Sequence, residues 1–453
     1  MIGYLVYFIY AKSGDYVTSE YNSSRQSIYE DIYLRGSILS SDGEVLAYTS
    51  VDSEGNETRV YPYGSVFAHI VGYSTRGSTG VESLAGTYLL SSSISPIQIA
   101  INQFQDIKTE GDTVVTTLDT RLQQAAYDAL GDYEGAVVAL DPETGEILAM
   151  VSKPDFNPNE INEIWDELTD EDSSNSNLVN RATQGLYPPG STFKILTALE
   201  YIREYPTSYS SYSYYCSSTY TSGSYSISCY HNTSHGTVSL ADAFAESCNG
   251  AFADIGLKLD FSSFYDLCED FGFNEDLPVD LTSNASSFVL SDNSSTWDVL
   301  QTSIGQGSTV VTPLHMAMIV SAIANDGVMM KPYVLNYVES AEGEVVETWS
   351  SEEYRTVMTS EEAEILTELM RGVVTDGTGS SAQGSGYTVA GKTGSAEWST
   401  DEETHAWFVG FANADDPDIV VCVIVESGGS GGSVAAPIAR KVFDAYYTYC
   451  ATD

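Results

Sequence analysis

Ser191 and Lys194 are the two residues whose types and spacing most directly suggest chemistry. They lie three positions apart where the run Tyr187–Gly190 leads into an apolar helical stretch, so both are predicted on one face of the first helical turn. A serine hydroxyl needs an adjacent base to attack, and a lysine in a dry pocket can lose its proton and act as that base. The pair predicts an acyl-transfer site, although a capping serine followed by a surface lysine would show the same spacing.

A second motif, Ser247-Cys248-Asn249, follows a helical stretch at residues 240–245. Because Ser247 and Asn249 are two positions apart, they cannot share a helix face. A loop between two helices is therefore expected to aim both side chains inward. Cys248 is predicted to be a small buried side chain, with a reactive thiol as the alternative.

The third motif, Lys392-Thr393-Gly394-Ser395, is predicted to lie on a strand. Thr393 and Ser395 would then point to one side, where two hydroxyl groups can bind a carboxylate. Gly394 would let a peptide backbone approach closely, as when a strand adds to a sheet edge. Strict alternation turns Lys392 to the opposite side, so an electrostatic role for its ammonium requires local twist.

The elements that must position these motifs predict an α+β domain at residues 113–453. Alternating and apolar runs predict an antiparallel sheet made from both ends of this domain, with a helical insert between them. The predicted strands form a hairpin at 135–151 and three later segments at 388–397, 405–412 and 419–426.

Residues 13–112 are predicted to form a separate, β-rich pedestal of short strands and turns. Its clearest feature is a hairpin from Arg35 to Ala47 with an Asp-Gly turn, the dipeptide favoured in tight hairpin turns. The first ten residues are apolar but only half as long as the ~20 residues that a membrane helix needs. Residues 1–12 are therefore interpreted as the remnant of a membrane anchor.

The charge of the chain excludes two classes of partner. Its 18 Lys and Arg against 64 Asp and Glu give a formal net charge of -46, which repels nucleic acid and anionic lipid head groups. No nucleic-acid partner is expected, and the acidity suits a solvated, extracytoplasmic surface.

The six cysteines give no metal signature by spacing, because the sequence has no C-x-x-C pair and its five histidines are scattered. No metal site and no cofactor are expected on these grounds. Cys216 and Cys229 bracket a polar, turn-rich segment, and both a disulfide and two free thiols are compatible with the sequence.

Together, the three motifs in this order resemble those of class B penicillin-binding proteins, the membrane-anchored peptidoglycan D,D-transpeptidases of the serine S-x-x-K acyltransferase family. The 35–47 hairpin resembles the pedestal motif of that class. Gly305-Gln306-Gly307 with Thr312-Pro313-Leu314 resembles a segment of its transpeptidase domain. The resemblance implies a β-lactamase-like transpeptidase domain behind an elongated pedestal.

The resemblance also implies a role for each motif. Ser191 would attack the penultimate D-Ala carbonyl of a stem peptide, and Lys194 would accept the proton of Ser191. Ser247 would relay a proton to the leaving amine, while Asn249 would hold the substrate amide. Lys392 would act electrostatically beside the substrate-binding residues Thr393, Gly394 and Ser395.

Two alternatives stay open at this point. One retains the serine chemistry but ends in hydrolysis, as in a D,D-carboxypeptidase or a β-lactamase. The other is non-catalytic, a β-lactam sensor or a wall scaffold. For the favoured function, the resemblance implies β-lactams as inhibitors, a glycosyltransferase of the SEDS family as partner, and a single-pass membrane anchor with the catalytic domain outside the cytoplasm.

Overall fold

The structure is a computed structural model that describes residues 29–170, 176–291, 293–398 and 403–451. The predicted anchor at residues 1–12 lies outside these residues. Within the described part of the chain, no helix is both long and apolar enough to cross a membrane.

The strands of the described residues are labelled in chain order. They are β1 Tyr33–Leu34, β2 Ile38–Leu39, β3 Val45–Val51, β4 Glu57–Val60, β5 Thr109–Glu110, β6 Thr113–Thr116, β7 Gly135–Leu140, β8 Ile147–Lys153, β9 Tyr214–Cys216, β10 Thr219–Ser222, β11 Tyr225–Ser228, β12 Gly236–Val238, β13 Val328–Met330, β14 Leu335–Glu339, β15 Val345–Thr348, β16 Glu353–Thr356, β17 Val389–Ala396, β18 His405–Ala412 and β19 Ile419–Val425.

The α-helices are labelled in the same way. They are α1 Ala68–Val71, α2 Gly80–Leu84, α3 Gly86–Leu89, α4 Pro96–Phe104, α5 Thr120–Leu130, α6 Ile161–Leu168, α7 Arg181–Gln184, α8 Lys194–Glu204, α9 Leu240–Ala245, α10 Asn249–Gly256, α11 Phe261–Asp270, α12 Thr296–Thr302, α13 Pro313–Ala324, α14 Ser360–Thr375 and α15 Ala436–Tyr449.

The chain groups into two compact units that are interleaved in sequence. The described residues within 1–120, 155–178 and 334–350 form the first unit, and the remaining described residues form the second. The predicted domain boundaries, 13–112 and 113–453, stay predictions.

A six-stranded sheet organises the first unit, with strand order β15-β14-β6-β2-β3-β4. Ile38 pairs with Ala47 across the predicted hairpin and with Val114 of β6 on its other side. These three side chains are buried, so the middle of the sheet is held by apolar contacts between neighbouring strands. The predicted hairpin is confirmed, with Gly43 at φ 85° in its turn, a conformation that glycine adopts without steric cost.

The first unit also buries a carboxylate between two guanidinium groups. Glu82 of α2 is wholly buried and accepts from Arg35 Nε at 2.6 Å and from Arg59 Nε at 2.7 Å. Burial alone raises the pKa of Glu82, but the charges of Arg35 and Arg59 outweigh this effect and lower the pKa. Tyr61 adds a hydrogen bond from its hydroxyl at 3.1 Å, so Glu82 links the hairpin to β4 and α2.

The second unit is built on a five-stranded antiparallel sheet with order β17-β18-β19-β7-β8. Every residue of β7, β18 and β19 is buried, as expected of strands that are covered on both faces. Helices α5 and α15 pack on one face, where Phe408, Val421 and Phe443 belong to a single apolar cluster.

The helical insert lies between β8 and β17 in sequence. Its central helix α13 contacts β7, β18 and β19 and buries all its residues from Pro313 to Ile323, which marks a core helix. The predicted α+β class, the antiparallel sheet and the helical insert are confirmed, and the hairpin predicted at 135–151 is the β7–β8 pair.

The burial of Glu82 makes a prediction for stability. Glu82→Gln should lower the free energy of unfolding by about 3–5 kcal/mol, because two buried guanidinium groups lose their counter-charge. Urea denaturation of the full chain measures this loss. Glu57→Gln is the matched control, since it removes a half-exposed ion pair with Lys108 and should cost about 1 kcal/mol or less. Equal losses of unfolding free energy in the two variants would contradict the role of Glu82 as the counter-charge of two buried guanidinium groups.

Candidate active site

Ser191 lies in a turn that precedes the helix, and Lys194 is the first residue of the helix itself. The turn is a 3₁₀ helix at Gly190–Phe193, and α8 begins directly after it. Gly190 has a φ of 55° and donates its N–H to Gly305 O at 2.8 Å. A Cβ on Gly305 would lie 1.8 Å from Gly190 O, so the predicted Gly305-Gln306-Gly307 segment supports the serine turn through direct backbone contact.

Lys194 is wholly buried and bound by three neutral oxygen atoms. Its Nζ donates to Ser247 O at 2.8 Å, to Asn249 Oδ1 at 2.7 Å and to Ser247 Oγ at 3.2 Å. Burial lowers the pKa of Lys194 to about 7, with the sulfur atoms of Cys248 and Cys229 acting in the opposite direction. An amine with this pKa is partly neutral near neutral pH, which is the state that a general base requires.

The structure brings Ser191 and Lys194 onto adjacent turns but does not join them directly. Among the described residues, no hydrogen bond links Ser191 Oγ to Lys194 Nζ; the amine is engaged by Ser247 and Asn249 instead. The predicted placement on one face of a helical turn is therefore not sufficient by itself to join the two side chains. The second motif fixes the position of the amine in this structure.

The loop that joins α9 to α10 carries Ser247, and Asn249 is the first residue of α10. Ser247 adopts a φ of 54°, a left-handed conformation that is uncommon for serine and costs about 1–3 kcal/mol. Cys248 follows as the residue that precedes α10, and its N–H donates to Ala243 O at 2.8 Å. Asn249 Nδ2 donates to Ser228 O at 2.9 Å, so this side chain bridges Lys194 and the end of β11.

Lys392 reaches the same loop from the sheet. It is wholly buried on β17, and its Nζ donates to Ser247 Oγ at 3.0 Å and to Thr393 O at 3.1 Å. The long side chain therefore brings the ammonium to Ser247, although strand alternation had predicted that it faces away. Burial, followed by the charge of Lys194, holds the pKa of Lys392 well below its usual range.

Strand β17 is at one edge of its sheet and, among the described strands, pairs with β18 alone. An edge strand carries unpaired backbone groups that can bind an extended peptide. Thr393 Oγ1 lies 2.6 Å from Thr378 Oγ1, and Ser395 Oγ accepts from Gly431 N at 3.3 Å. These hydroxyl groups lie beside the strand edge where a peptide carboxylate would end.

One cleft joins the three motifs. It has a volume of about 660 Å³, and its lining includes six of the predicted residues, Ser191, Ser247, Asn249, Thr393, Gly394 and Ser395. Lys194 and Lys392 lie beneath this lining, in contact with Ser247. The structure thus brings together all eight predicted site residues.

Sequence reasoning missed Thr378 as a residue of the cleft. It lies in Gly377-Thr378-Gly379, just after α14, and it both lines the cleft and contacts Thr393. A hydroxyl residue between two glycines was the available signal, because such a loop can approach a neighbouring strand closely.

Cys216 and Cys229 are both buried and not bonded to each other. Their sulfur atoms are 3.7 Å apart, well beyond the ~2.05 Å length of a disulfide bond. Of the two states compatible with the sequence, the structure therefore contains the free thiols.

Comparison with known proteins gives two family matches. The model described as penicillin-binding protein transpeptidase domain matches residues 135–444, and the model described as penicillin-binding protein A dimerisation domain matches residues 35–114. The first match alone spans more than half of the chain and contains all three motifs.

Curated relatives are similar over most of their length. The chain is 32% identical over 440 residues to the peptidoglycan D,D-transpeptidase PbpA of Mycolicibacterium smegmatis, covering 90% of this chain and 88% of that protein. It is also 32% identical over 455 residues to the peptidoglycan D,D-transpeptidase MrdA of Acinetobacter baumannii, covering 88% of this chain and 67% of that protein.

Solved structures share the fold. The D,D-transpeptidase domain of a peptidoglycan glycosyltransferase from Eggerthella lenta gives a TM-score of 0.84 at 32% identity, covering 93% of this chain and 100% of that chain. The ceftriaxone acyl-enzyme complex of penicillin-binding protein A from Mycobacterium tuberculosis gives a TM-score of 0.84 at 32% identity, covering 93% of this chain and 99% of that chain.

Proposed function

The chain belongs to the penicillin-binding protein transpeptidase family, and from that membership we propose that it cross-links peptidoglycan stem peptides as a serine-type D,D-transpeptidase that β-lactams inhibit. One observation carries the proposal. Ser191 lines the cleft one turn before a buried, partly neutral Lys194 that is held by Ser247 and Asn249. This arrangement supplies a nucleophile, a base and a proton relay within one site.

The acylation step uses the nucleophile and the base. Ser191 Oγ attacks the carbonyl carbon of the penultimate D-Ala, and its proton passes to the neutral amine of Lys194. The peptide bond to the terminal D-Ala then breaks, and the leaving amine takes up a proton. Ser247 Oγ lies within 3.2 Å of Lys194 Nζ and 3.0 Å of Lys392 Nζ, so it is placed to relay that proton.

The second step transfers the acyl group. The amine of a neighbouring stem peptide attacks the ester carbonyl carbon, the new peptide bond forms and the bond from that carbon to Ser191 Oγ breaks. The proton that the amine gives up passes through Lys194 to Ser191 Oγ, which restores the hydroxyl. Transfer to water instead would give the hydrolytic alternative, a carboxypeptidase or a β-lactamase. The lifetime of the acyl-enzyme therefore distinguishes the two reactions.

Substrate binding would use the free edge of β17. An extended stem peptide can pair with this edge, with its carboxylate among the hydroxyl groups of Thr393, Ser395 and Thr378. That carboxylate would favour the charged form of Lys392, and a charged Lys392 would in turn keep the nearby Lys194 neutral. Asn249 would bind the substrate amide.

The oxyanion of the tetrahedral intermediate needs donors aimed at it. We assign this role to the backbone N–H groups of Ser191 and Ser395, which belong to the turn and to the strand on either side of the cleft. Each such donor contributes on the order of 3 kcal/mol of transition-state stabilisation.

The proposal extends to the cellular setting. An enzyme that acts on the wall works outside the cytoplasm, and residues 1–12 would be the end of a single-pass membrane anchor. A glycosyltransferase of the SEDS family would supply the glycan strands whose peptides this chain joins. These statements rest on family membership.

Covalent labelling tests the role of Ser191. We expect the full chain to gain the mass of one penicillin molecule, and Ser191→Ala to gain none, because only this hydroxyl forms the ester. Intact-protein mass spectrometry measures the adduct. Ser262→Ala, an exposed serine of α11, is the control that should be labelled fully. An unlabelled wild-type chain would contradict the enzymatic proposal, and rapid loss of the adduct would favour the hydrolytic one.

The pKa of Lys194 predicts a pH dependence for acylation. The amine must be neutral to accept the proton, so the single-turnover rate of labelling by a fluorescent penicillin should rise with pH and level off above a midpoint near 7. The ionisable groups coupled to Lys194 are Cys248 and Cys229, which raise its pKa, and Lys392, whose own pKa is lowered by burial and by the charge of Lys194.

A charge-conserving variant provides the control for this profile. Lys194→Arg keeps a cation but cannot lose its proton. The acylation rate of this variant should therefore be about 10²–10⁴-fold lower, and its pH profile should show no midpoint near 7. A wild-type acylation rate that does not change with pH around 7 would argue against Lys194 as the base.

A further inference from the structure

Three thiols and an imidazole meet beside the cleft. Cys216, Cys229, His235 and Cys248 place their ligand atoms within 4.8 Å of one another. All three cysteines are buried and His235 is half-buried. The catalytic steps proposed above use none of these four side chains.

Three of the six distances between these ligand atoms are close to the edges of a tetrahedron around a metal ion. Cys216 Sγ is 3.7 Å from Cys229 Sγ and 3.4 Å from His235 Nδ1, and Cys229 Sγ is 3.9 Å from Cys248 Sγ. With zinc–sulfur bonds of about 2.3 Å and a zinc–nitrogen bond of about 2.0 Å, ideal tetrahedral edges are about 3.8 Å between sulfurs and about 3.5 Å between sulfur and nitrogen.

Separate elements bring these ligands together. Cys216 ends β9, which pairs with β12 so that Cys216 lies opposite Gly236 and next to His235. Cys229 follows β11 and donates its N–H to Ser218 O at 2.8 Å. Cys248 comes from the loop between α9 and α10. The ligands are spaced by 12, 5 and 12 intervening residues, so neither a helix turn nor a C-x-x-C knuckle forms the cluster.

We propose that Cys216, Cys229, His235 and Cys248 bind one zinc ion as a closed structural site. Three thiolates and one neutral imidazole fill all four tetrahedral positions, which is a ligand set of structural rather than catalytic zinc. Thiolate and imidazole donors favour zinc over hard ions such as Mg²⁺ or Ca²⁺. The expectation of no metal site rested on the absence of closely spaced ligands in the sequence. The fold instead brings together ligands that are spread over 33 residues.

The site would fix the second active-site motif. Cys248 lies between Ser247 and Asn249, whose oxygen atoms hold Lys194 Nζ. Anchoring Cys248 Sγ to a metal would restrain a loop in which Ser247 has a left-handed backbone. The zinc ligands are thus positioning residues for Ser247 and Asn249. This consequence rests on the proposed function, whereas zinc binding itself does not.

Metal analysis of the full chain tests zinc binding directly. The protein is purified under reducing conditions without chelator, and its metals are measured by inductively coupled plasma mass spectrometry. We expect about one zinc per chain, and after exchange for cobalt the visible ligand-field bands of tetrahedral Co²⁺ bound to thiolates. A chain without zinc that also fails to take up zinc or cobalt would overturn the proposal.

Matched variants separate metal binding from folding. His235→Ala should lose zinc, whereas His235→Cys should retain it, because a fourth thiolate can complete the tetrahedron. Cys268→Ala removes a buried thiol of α11 outside the cluster and should keep zinc. An undiminished zinc content in both single variants, His235→Ala and Cys216→Ser, would overturn the site. A Cys216–Cys229 disulfide found by mass spectrometry in the purified chain would also overturn it.

The positioning role has its own readout. Removing zinc from the wild-type chain should lower the melting temperature and slow penicillin acylation on the order of tenfold, and adding zinc back should restore both. An unchanged acylation rate in the zinc-free chain would overturn the positioning role. A chain that binds zinc but is never acylated would contradict the proposed function and leave the metal site supported.

Discussion

The burial of the Lys194 amine against neutral oxygen atoms is the constraint on which the active site depends. Taking an ammonium out of water destabilises its charged form, and only a paired anion would restore it. Here the partners are a carbonyl, a hydroxyl and an amide oxygen. These groups orient the amine without fixing its proton, as the proposed role of accepting and returning a proton at neutral pH requires.

Both the sheet and the helical insert contribute groups that surround this amine. The sheet contributes a rigid edge strand, and the insert contributes the serine turn and the α9–α10 loop, so the reactive groups come from parts of the chain that are far apart in sequence. Gly190 and Gly305 let two backbone segments touch beneath Ser191. Direct backbone contact therefore holds the turn that carries Ser191, which favours preorganised electrostatic stabilisation.

Local patterns in the sequence predicted much of this arrangement. Apolar strands, helix periodicity and the three motifs were sufficient for the sheet, the insert and eight residues that lie in or beneath the cleft. What the sequence could not supply was the partner of each polar group. The contact of Lys392 with Ser247, the role of Thr378 and the assembly of three cysteines with His235 all depend on tertiary packing between distant segments. The spacing rules that excluded a metal site describe ligands on one hairpin or helix, whereas these ligands lie on several elements.

The order of the strands in the first unit has a consequence for biogenesis. Its sheet has β6 at the centre, and the neighbours on one side, β14 and β15, come from residues 335–348. During vectorial synthesis, the early strands emerge first and leave one edge of β6 uncovered until more than two hundred further residues have followed. An amino-terminal fragment would therefore expose an open strand, a template for misassembly, and this unit reaches its final form only after most of the polypeptide has been delivered.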